Sequence, residues 1–149
     1  MMNKWFEVKV AYTKVMENGL EKRVVEPYLV DALSFTEAES RIIEEMRPYM
    51  SGVFEVSAVG RKKYADVFYS DSYGADKFFH AKLMFITIDE RTGAEKQTPN
   101  LILVQAEDLR KAIESIDREM KHTLGEYRIA EVKETAIVDV YAYKEAEEI

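Results

Sequence analysis

An internal repeat constrains this chain more than any other feature. Lys4-Trp5-Phe6-Glu7-Val8-Lys9-Val10 aligns with Lys77-Phe78-Phe79-His80-Ala81-Lys82-Leu83 at an offset of 73 residues. One extra residue in the next turn raises the offset to 74, which sets Gly19-Leu20-Glu21-Lys22 over Gly93-Ala94-Glu95-Lys96 and Leu29-Val30-Asp31-Ala32 over Leu103-Val104-Gln105-Ala106. Ala38, Ile42 and Met46 then match Ala112, Ile116 and Met120, and the offset returns to 73 for Val59, Asp66 and Val67 over Val132, Asp139 and Val140. A correspondence this long restricts the fold to two copies of one supersecondary unit.

Each copy reads the same way. Phe6, Val8, Val10 and Tyr12 alternate with Glu7, Lys9, Ala11 and Thr13, the period of a half-buried strand. Asn18-Gly19 predicts a type I′ hairpin turn, and Thr92-Gly93 is its weaker equivalent. Returning strands are centred on Tyr28–Ala32 and Ile102–Ala106, with Pro27 and Pro99 just ahead of them. Ser34 and Glu37 form a capping box for a helix whose apolar stripe is Phe35, Ala38, Ile42 and Met46. Leu109, Ala112, Ile116 and Met120 repeat that stripe. Pro48 ends the first helix and Gly125 the second. Phe54–Val59 and Tyr127–Val132 return as strands, and Tyr64–Tyr69 and Ile137–Tyr143 continue them past a bend or form a fourth strand.

The expected fold is α+β: two tandem strand–strand–helix–strand(–strand) repeats with pseudo-twofold symmetry, an antiparallel sheet with helices on one face. The expectation is a single domain over 1–149, with repeat one at 4–69, a linker at 70–76 and repeat two at 77–143. Glu145–Ile149 reads as a frayed acidic tail. One helix per copy covers one sheet face. The other face carries Trp5, Glu7, Lys9 and Thr13 in copy one, but Phe78, His80, Met84, Ile86 and Ile88 in copy two. That second face needs a cover, either the neighbouring repeat or another subunit. Trp5, Phe78, His80, Met84 and Ile86 are the candidate crevice or interface residues.

Composition narrows the function. The net charge is −7, divided as −2 over residues 1–72 (10 basic, 12 acidic) and −5 over 73–149 (11 basic, 16 acidic), which argues against coating nucleic acid through a broad basic face. The absence of cysteine removes disulfides, thiol nucleophiles and thiolate metal sites together. No apolar run is long enough to span a membrane, and Glu7 and Lys9 interrupt any signal-like core, so a cytoplasmic location is expected.

Most site chemistries lack their residues. The six glycines stand apart from one another, so no phosphate-cradling loop or dinucleotide fingerprint is present. His80 and His122 have no partner at metal-ligand spacing; His122 reads as a favourable charge near a helix C-terminus. No local nucleophile motif stands out, Asp66 and Asp139 read as outward or charge-paired strand acids, and Asp71-Ser72-Tyr73-Gly74 falls short of a calcium loop. No catalytic residue, cofactor or metal ligand is assigned. The one basic cluster, Arg61-Lys62-Lys63, has Tyr64 beside it and Tyr73 nearby; basic groups gripping phosphates with aromatics stacking on bases would suit single-stranded nucleic acid. The blander reading is a solvated turn.

Three segments carry a family resemblance: Trp5–Val10, Glu26-Pro27-Tyr28-Leu29-Val30-Asp31-Ala32-Leu33-Ser34-Phe35-Thr36-Glu37-Ala38-Glu39, and Thr92-Gly93-Ala94-Glu95-Lys96. The chain resembles an uncharacterised family of similar length, domain of unknown function 4494, which is typical of gut Bacteroidetes and mobile or phage-derived DNA. The resemblance implies no catalytic residues and adds weight to a nucleic-acid role.

Three expectations follow, in this order. The first is a non-enzymatic binding or adaptor protein acting through a sheet face or the inter-repeat crevice, with a protein partner or a homo-oligomer. The second is a nucleic-acid-binding accessory protein using Arg61, Lys62, Lys63, Tyr64 and Tyr73. The third is a small-molecule-binding protein or enzyme with a site between the repeats.

Overall fold

The computed structural model describes residues 4–142; the Glu145–Ile149 tail lies outside them. In chain order the elements are β1 (Trp5–Val15), β2 (Glu21–Asp31), α1 (Phe35–Met46), β3 (Phe54–Lys62), β4 (Asp66–Phe68), β5 (Lys77–Ile88), β6 (Glu95–Ala106), α2 (Leu109–Met120), β7 (Glu126–Glu134) and β8 (Val140–Tyr141). The fold is α+β, with two four-stranded sheets ordered β3-β1-β2-β8 and β4-β6-β5-β7. Each sheet has three antiparallel strands and one short parallel edge strand.

Two compact units contain these sheets. One comprises the residues up to Lys63 with those from Ala136 onward; the other is Tyr64–Thr135. This partition differs from the expected 4–69 and 77–143, because the strand after β3 does not stay with it. Val67 and Phe68 of β4 pair with Leu103 and Val104 of β6, while Val140 and Tyr141 of β8 pair with Leu29 and Val30 of β2. Backbone hydrogen bonds extend both joins: Val138 N–H donates to Pro27 C=O, and Ala65 N–H donates to Leu101 C=O. Asp66 is the exposed first residue of β4, opposite Ile102, as an outward strand acid should be, whereas Asp139 immediately precedes β8. Each accepts from the next residue's N–H at 2.8 Å and so starts its edge strand.

In the first unit, α1 covers one sheet face and closes a core of Phe6, Val8, Val10, Tyr28, Val30, Ala32, Ala38, Ile42 and Met46. The second unit's core is Phe79, Ala81, Leu83, Ile102, Val104, Ala106, Ala112, Ile116 and Met120. These lists correspond position by position at offsets of 73 or 74. Phe35 and Leu109, placed in the stripes by spacing, are 55% and 47% exposed, and Phe35 only edges against Phe6 at 5.0 Å. A bulge interrupts each β1/β3-type pairing where Ser57 and Ala130 are passed over. On the opposite faces Trp5, Leu29 and Asp31 are buried in the first unit, and Phe78 and Leu103 in the second.

Local signals account for the helix starts. Ser34 Oγ accepts from Glu37 N–H at 3.1 Å, and Glu37 reaches back to Leu33 N–H. Asp108 does the same for α2 through Lys111 N–H at 2.8 Å. The helix ends need one correction: α2 stops at Met120 with Lys121 as its cap, and Gly125 instead precedes β7.

The hairpins and prolines also differ from expectation. Gly19 has φ +82 and Gly93 φ +71, but no non-glycine described residue has positive φ, so Asn18 does not sit in a type I′ turn. Gly19 N–H donates to Met16 C=O, and Met16 N–H donates to Leu20 C=O, which makes a longer loop closed by a glycine. Pro27 and Pro99 lie inside β2 and β6, opposite Lys9 and Met84. They are tolerated because their missing N–H groups face the edge-strand side, the side to which Pro27 C=O and Leu29 N–H also point.

Candidate functional site

In the first unit, the helix end, the central strand and the edge strand border a cavity of about 500 Å³. It is a groove open to solvent, with Tyr49, Val138 and Asp139 exposed at its rim. Its walls are four tyrosines, Tyr12, Tyr28, Tyr49 and Tyr141, with Met46, Met50, Val138 and Asp139 completing them. Strand periodicity brings Tyr12 and Tyr28 to the helix-facing side, since Tyr28 pairs with Val8 and Tyr12 with Val24 in the β1/β2 register. Tyr49 and Met50 lie in the turn after α1, where both backbone N–H groups donate to Met46 C=O. Val138, Asp139 and Tyr141 arrive on the edge strand.

The polar atoms of this site are ordered around one carboxylate. The Tyr12 hydroxyl donates to Glu26 Oε1, and the Tyr28 hydroxyl donates to Glu26 Oε2 at 3.2 Å. The Tyr28 and Tyr141 rings stack at 6.0 Å with planes inclined by 26°. Burial, followed by the Glu26 carboxylate, raises the Tyr28 phenol well above its ordinary value. Burial, then Asp139 and Glu45, pushes the Tyr141 phenol up to about 12. Tyr12 is raised first by its hydrogen bond to Glu26. All three therefore remain neutral aromatic donors at physiological pH.

The second unit does not repeat this chemistry. At offsets of 73 or 74, Tyr12, Tyr28, Tyr49 and Tyr141 become Phe85, Ile102, Thr123 and Phe68, and Glu26 becomes Asn100. The backbone equivalence holds at the turn, where Thr123 N–H donates to Met120 C=O as Tyr49 N–H does to Met46 C=O. The corresponding positions thus carry tyrosines and a glutamate in one unit, and Phe85, Ile102, Thr123, Phe68 and Asn100 in the other.

The residues singled out by sequence fall elsewhere. Arg61, Lys62 and Lys63 are exposed at the end of β3 in the first unit; Arg61 lies over the Phe6 ring at 5.5 Å, and Lys62 is 3.9 Å from Glu7. Tyr64 and Tyr73 belong to the second unit. Tyr73 is fully exposed, but Tyr64 is only 8% exposed and its hydroxyl meets His80 Nδ1 at 3.1 Å. As a base-stacking residue Tyr64 is corrected to a buried one, because its ring is covered and its hydroxyl engaged. Trp5 and Phe78 are each 3% exposed, whereas His80, Met84 and Ile86 are half-buried on β5. His122 is exposed beyond the end of α2. The described residues hold no group of three or more His, Cys, Asp or Glu side chains arranged for a metal. No helix in them is long and apolar enough to cross a membrane.

Sequence reasoning missed the tyrosine cavity. A signal was available: the places where one repeat has tyrosine and the other an apolar or small residue mark it, together with Glu26 against Asn100.

A family model described as "Domain of unknown function (DUF4494)" matches residues 4–143. The chain belongs to that family. The match takes in both units and every cavity residue, so the tyrosine-lined site lies within the DUF4494 domain itself. No curated protein matches the chain.

Proposed function

We propose that this DUF4494 protein is a cytoplasmic, non-enzymatic binding module, built by tandem duplication, whose first unit holds the ligand site. The observation that carries this reading is the tyrosine-walled cavity present in one unit and replaced by phenylalanine, isoleucine and threonine in the other. A concave site with a mainly aromatic wall and a few oriented polar groups is the usual form of a small-ligand pocket. Two phenols tied to Glu26 and a third stacked on Tyr28 hold the wall in place before any ligand arrives. The Tyr12 and Tyr28 hydroxyls are already engaged by Glu26 rather than turned to a ligand, so binding rather than turnover is proposed.

The test is a ligand-observed NMR screen of small polar molecules, with hits mapped on backbone amide shifts. Hits that move Tyr49, Met50 and Tyr141 and vanish in Tyr49→Leu support the site. Hits that map to other surfaces, or a screen that returns none, would overturn it.

A second reading is supported by the exposed run Arg61, Lys62 and Lys63: an accessory role on nucleic acid, as expected for proteins of Bacteroidetes mobile DNA. It is the weaker reading, because Tyr64 is buried and Lys62 already faces Glu7. Salt-sensitive binding of single-stranded DNA that weakens on charge reversal at Lys62 and Lys63 would support it. No binding at low salt would remove it.

A further inference from the structure

The chemistry of the cavity wall selects a class of ligand. Aromatic faces carry negative electrostatic potential and attract cations, most strongly where water is excluded. A phenol that donates its proton toward a carboxylate gains electron density in its ring, and Tyr12 and Tyr28 both donate to Glu26. Asp139 is itself in the wall, and among the described residues no lysine or arginine lines it. The C-terminal end of α1 also borders the cavity through Met46, Tyr49 and Met50. The helix dipole places partial negative charge there, although Met46 C=O already accepts from Tyr49 and Met50 N–H and the cap residue is Arg47. An anion would meet unfavourable potential from each of these groups. A neutral apolar ligand would make no use of Asp139.

Size and polarity narrow the class further. A metal ion needs several direct oxygen ligands. Asp139 is the one carboxylate among the described lining residues, with no group of three or more ligating side chains there. A bare ammonium is strongly hydrated and gains less from ring faces. A methylated ammonium spreads its charge over apolar methyl groups and is matched by tyrosine faces, and methionines tolerate its bulk. We propose, resting on the binding-module reading above, that the cavity binds a methylated ammonium group, carried either by a small molecule of the choline type or by a trimethylated lysine side chain.

The test uses the full chain and follows amide shifts on titration with choline, with its neutral carbon isostere, in which a tert-butyl group replaces the trimethylammonium, and with a short peptide carrying trimethyl-lysine. Choline or the peptide should shift Tyr49, Met50 and Tyr141 and bind at least about fivefold tighter than the isostere. The tighter of the two identifies the source of the ammonium group. Tyr49→Leu, at a position 78% exposed and so uncritical for folding, should weaken cation binding at least about threefold, while Tyr49→Phe retains it. Equal binding of the isostere would overturn the cation inference and leave the cavity as a binding site. Absence of cavity shifts with choline and peptide at tens of millimolar would also overturn it, and the ligand screen would then decide separately whether the site binds anything.

Discussion

The rings of Tyr28 and Tyr141 stack with centroids 6.0 Å apart, joining the second strand of the first unit to a two-residue strand near the other end of the chain. Parallel pairing of Leu29 with Val140 and Val30 with Tyr141 sets that contact. Tyr28 is buried in the unit's core, and Tyr141 packs against that core from its margin. The stack therefore belongs both to the fold and to the cavity wall.

Replacing Tyr141 with alanine should destabilise the protein by about 1–3 kcal/mol, from lost ring burial and lost stacking. Tyr141→Phe keeps the ring and should cost less than about 0.5 kcal/mol. Urea denaturation of both variants measures the difference. Equal losses would show that the stack does not hold the edge strand.

Alkaline pH should loosen the first unit. Tyr141, with an ordinary phenol value of 10.0, is pushed up to about 12 by burial first and then by Asp139 and Glu45. Tyr28 is raised by burial first and then by Glu26. Below pH 10 the phenols are protonated whether the chain is folded or not, and their contribution to stability is intact. Above it only the unfolded chain releases these protons, so stability falls as the pH rises from 10 to about 12. Chemical denaturation at stepped pH should show this loss. A spectroscopic titration should show Tyr28 and Tyr141 forming tyrosinate last, and Glu26→Gln should bring the Tyr12 titration down, because its hydrogen bond to Glu26 is the leading cause of its rise.

Ile42 and Ile116 are completely buried beneath the two sheets at equivalent helix positions. Each truncation to alanine should cost about 2–5 kcal/mol, with similar values for the two sites. A large disparity in denaturant midpoints would mean that the equivalent core positions are not equivalently packed.

Gln105 stands where the first unit has Asp31, and its amide spans the segment after β4. Its Oε1 accepts from Ser70 N–H at 3.0 Å, and its Nε2 donates to Ala75 C=O at 3.0 Å. Gln105→Ala should cost about 1–2 kcal/mol and speed amide exchange across residues 70–76. Unchanged exchange there would show that Gly74, at φ +86, and its neighbours hold the turn without the glutamine.

The helix-facing cores were legible in advance. Phe6, Val8 and Val10 alternate, Ala38, Ile42 and Met46 recur with helical spacing, and Ser34 with Glu37 marks a helix start. These are local periodicities, and burial followed them. The hairpin type was not legible, because Asn18-Gly19 is compatible with several loops and the choice depends on where the flanking strands stop pairing. Strand length was misjudged at Pro27 and Pro99, because whether a missing N–H matters depends on which neighbour it would face.

The chain's own sequence determined which residues form strands and helices, and which sides of them are apolar, because both follow from chemistry within a few residues. Tertiary structure alone decided where the segments after β3 and β7 would pair, since backbone hydrogen bonding at a sheet edge is nearly blind to side-chain identity. That choice sets Tyr141 and Asp139 beside Tyr12, Tyr28 and Tyr49. The cavity is thus built from residues far apart in sequence, and no local pattern announces it.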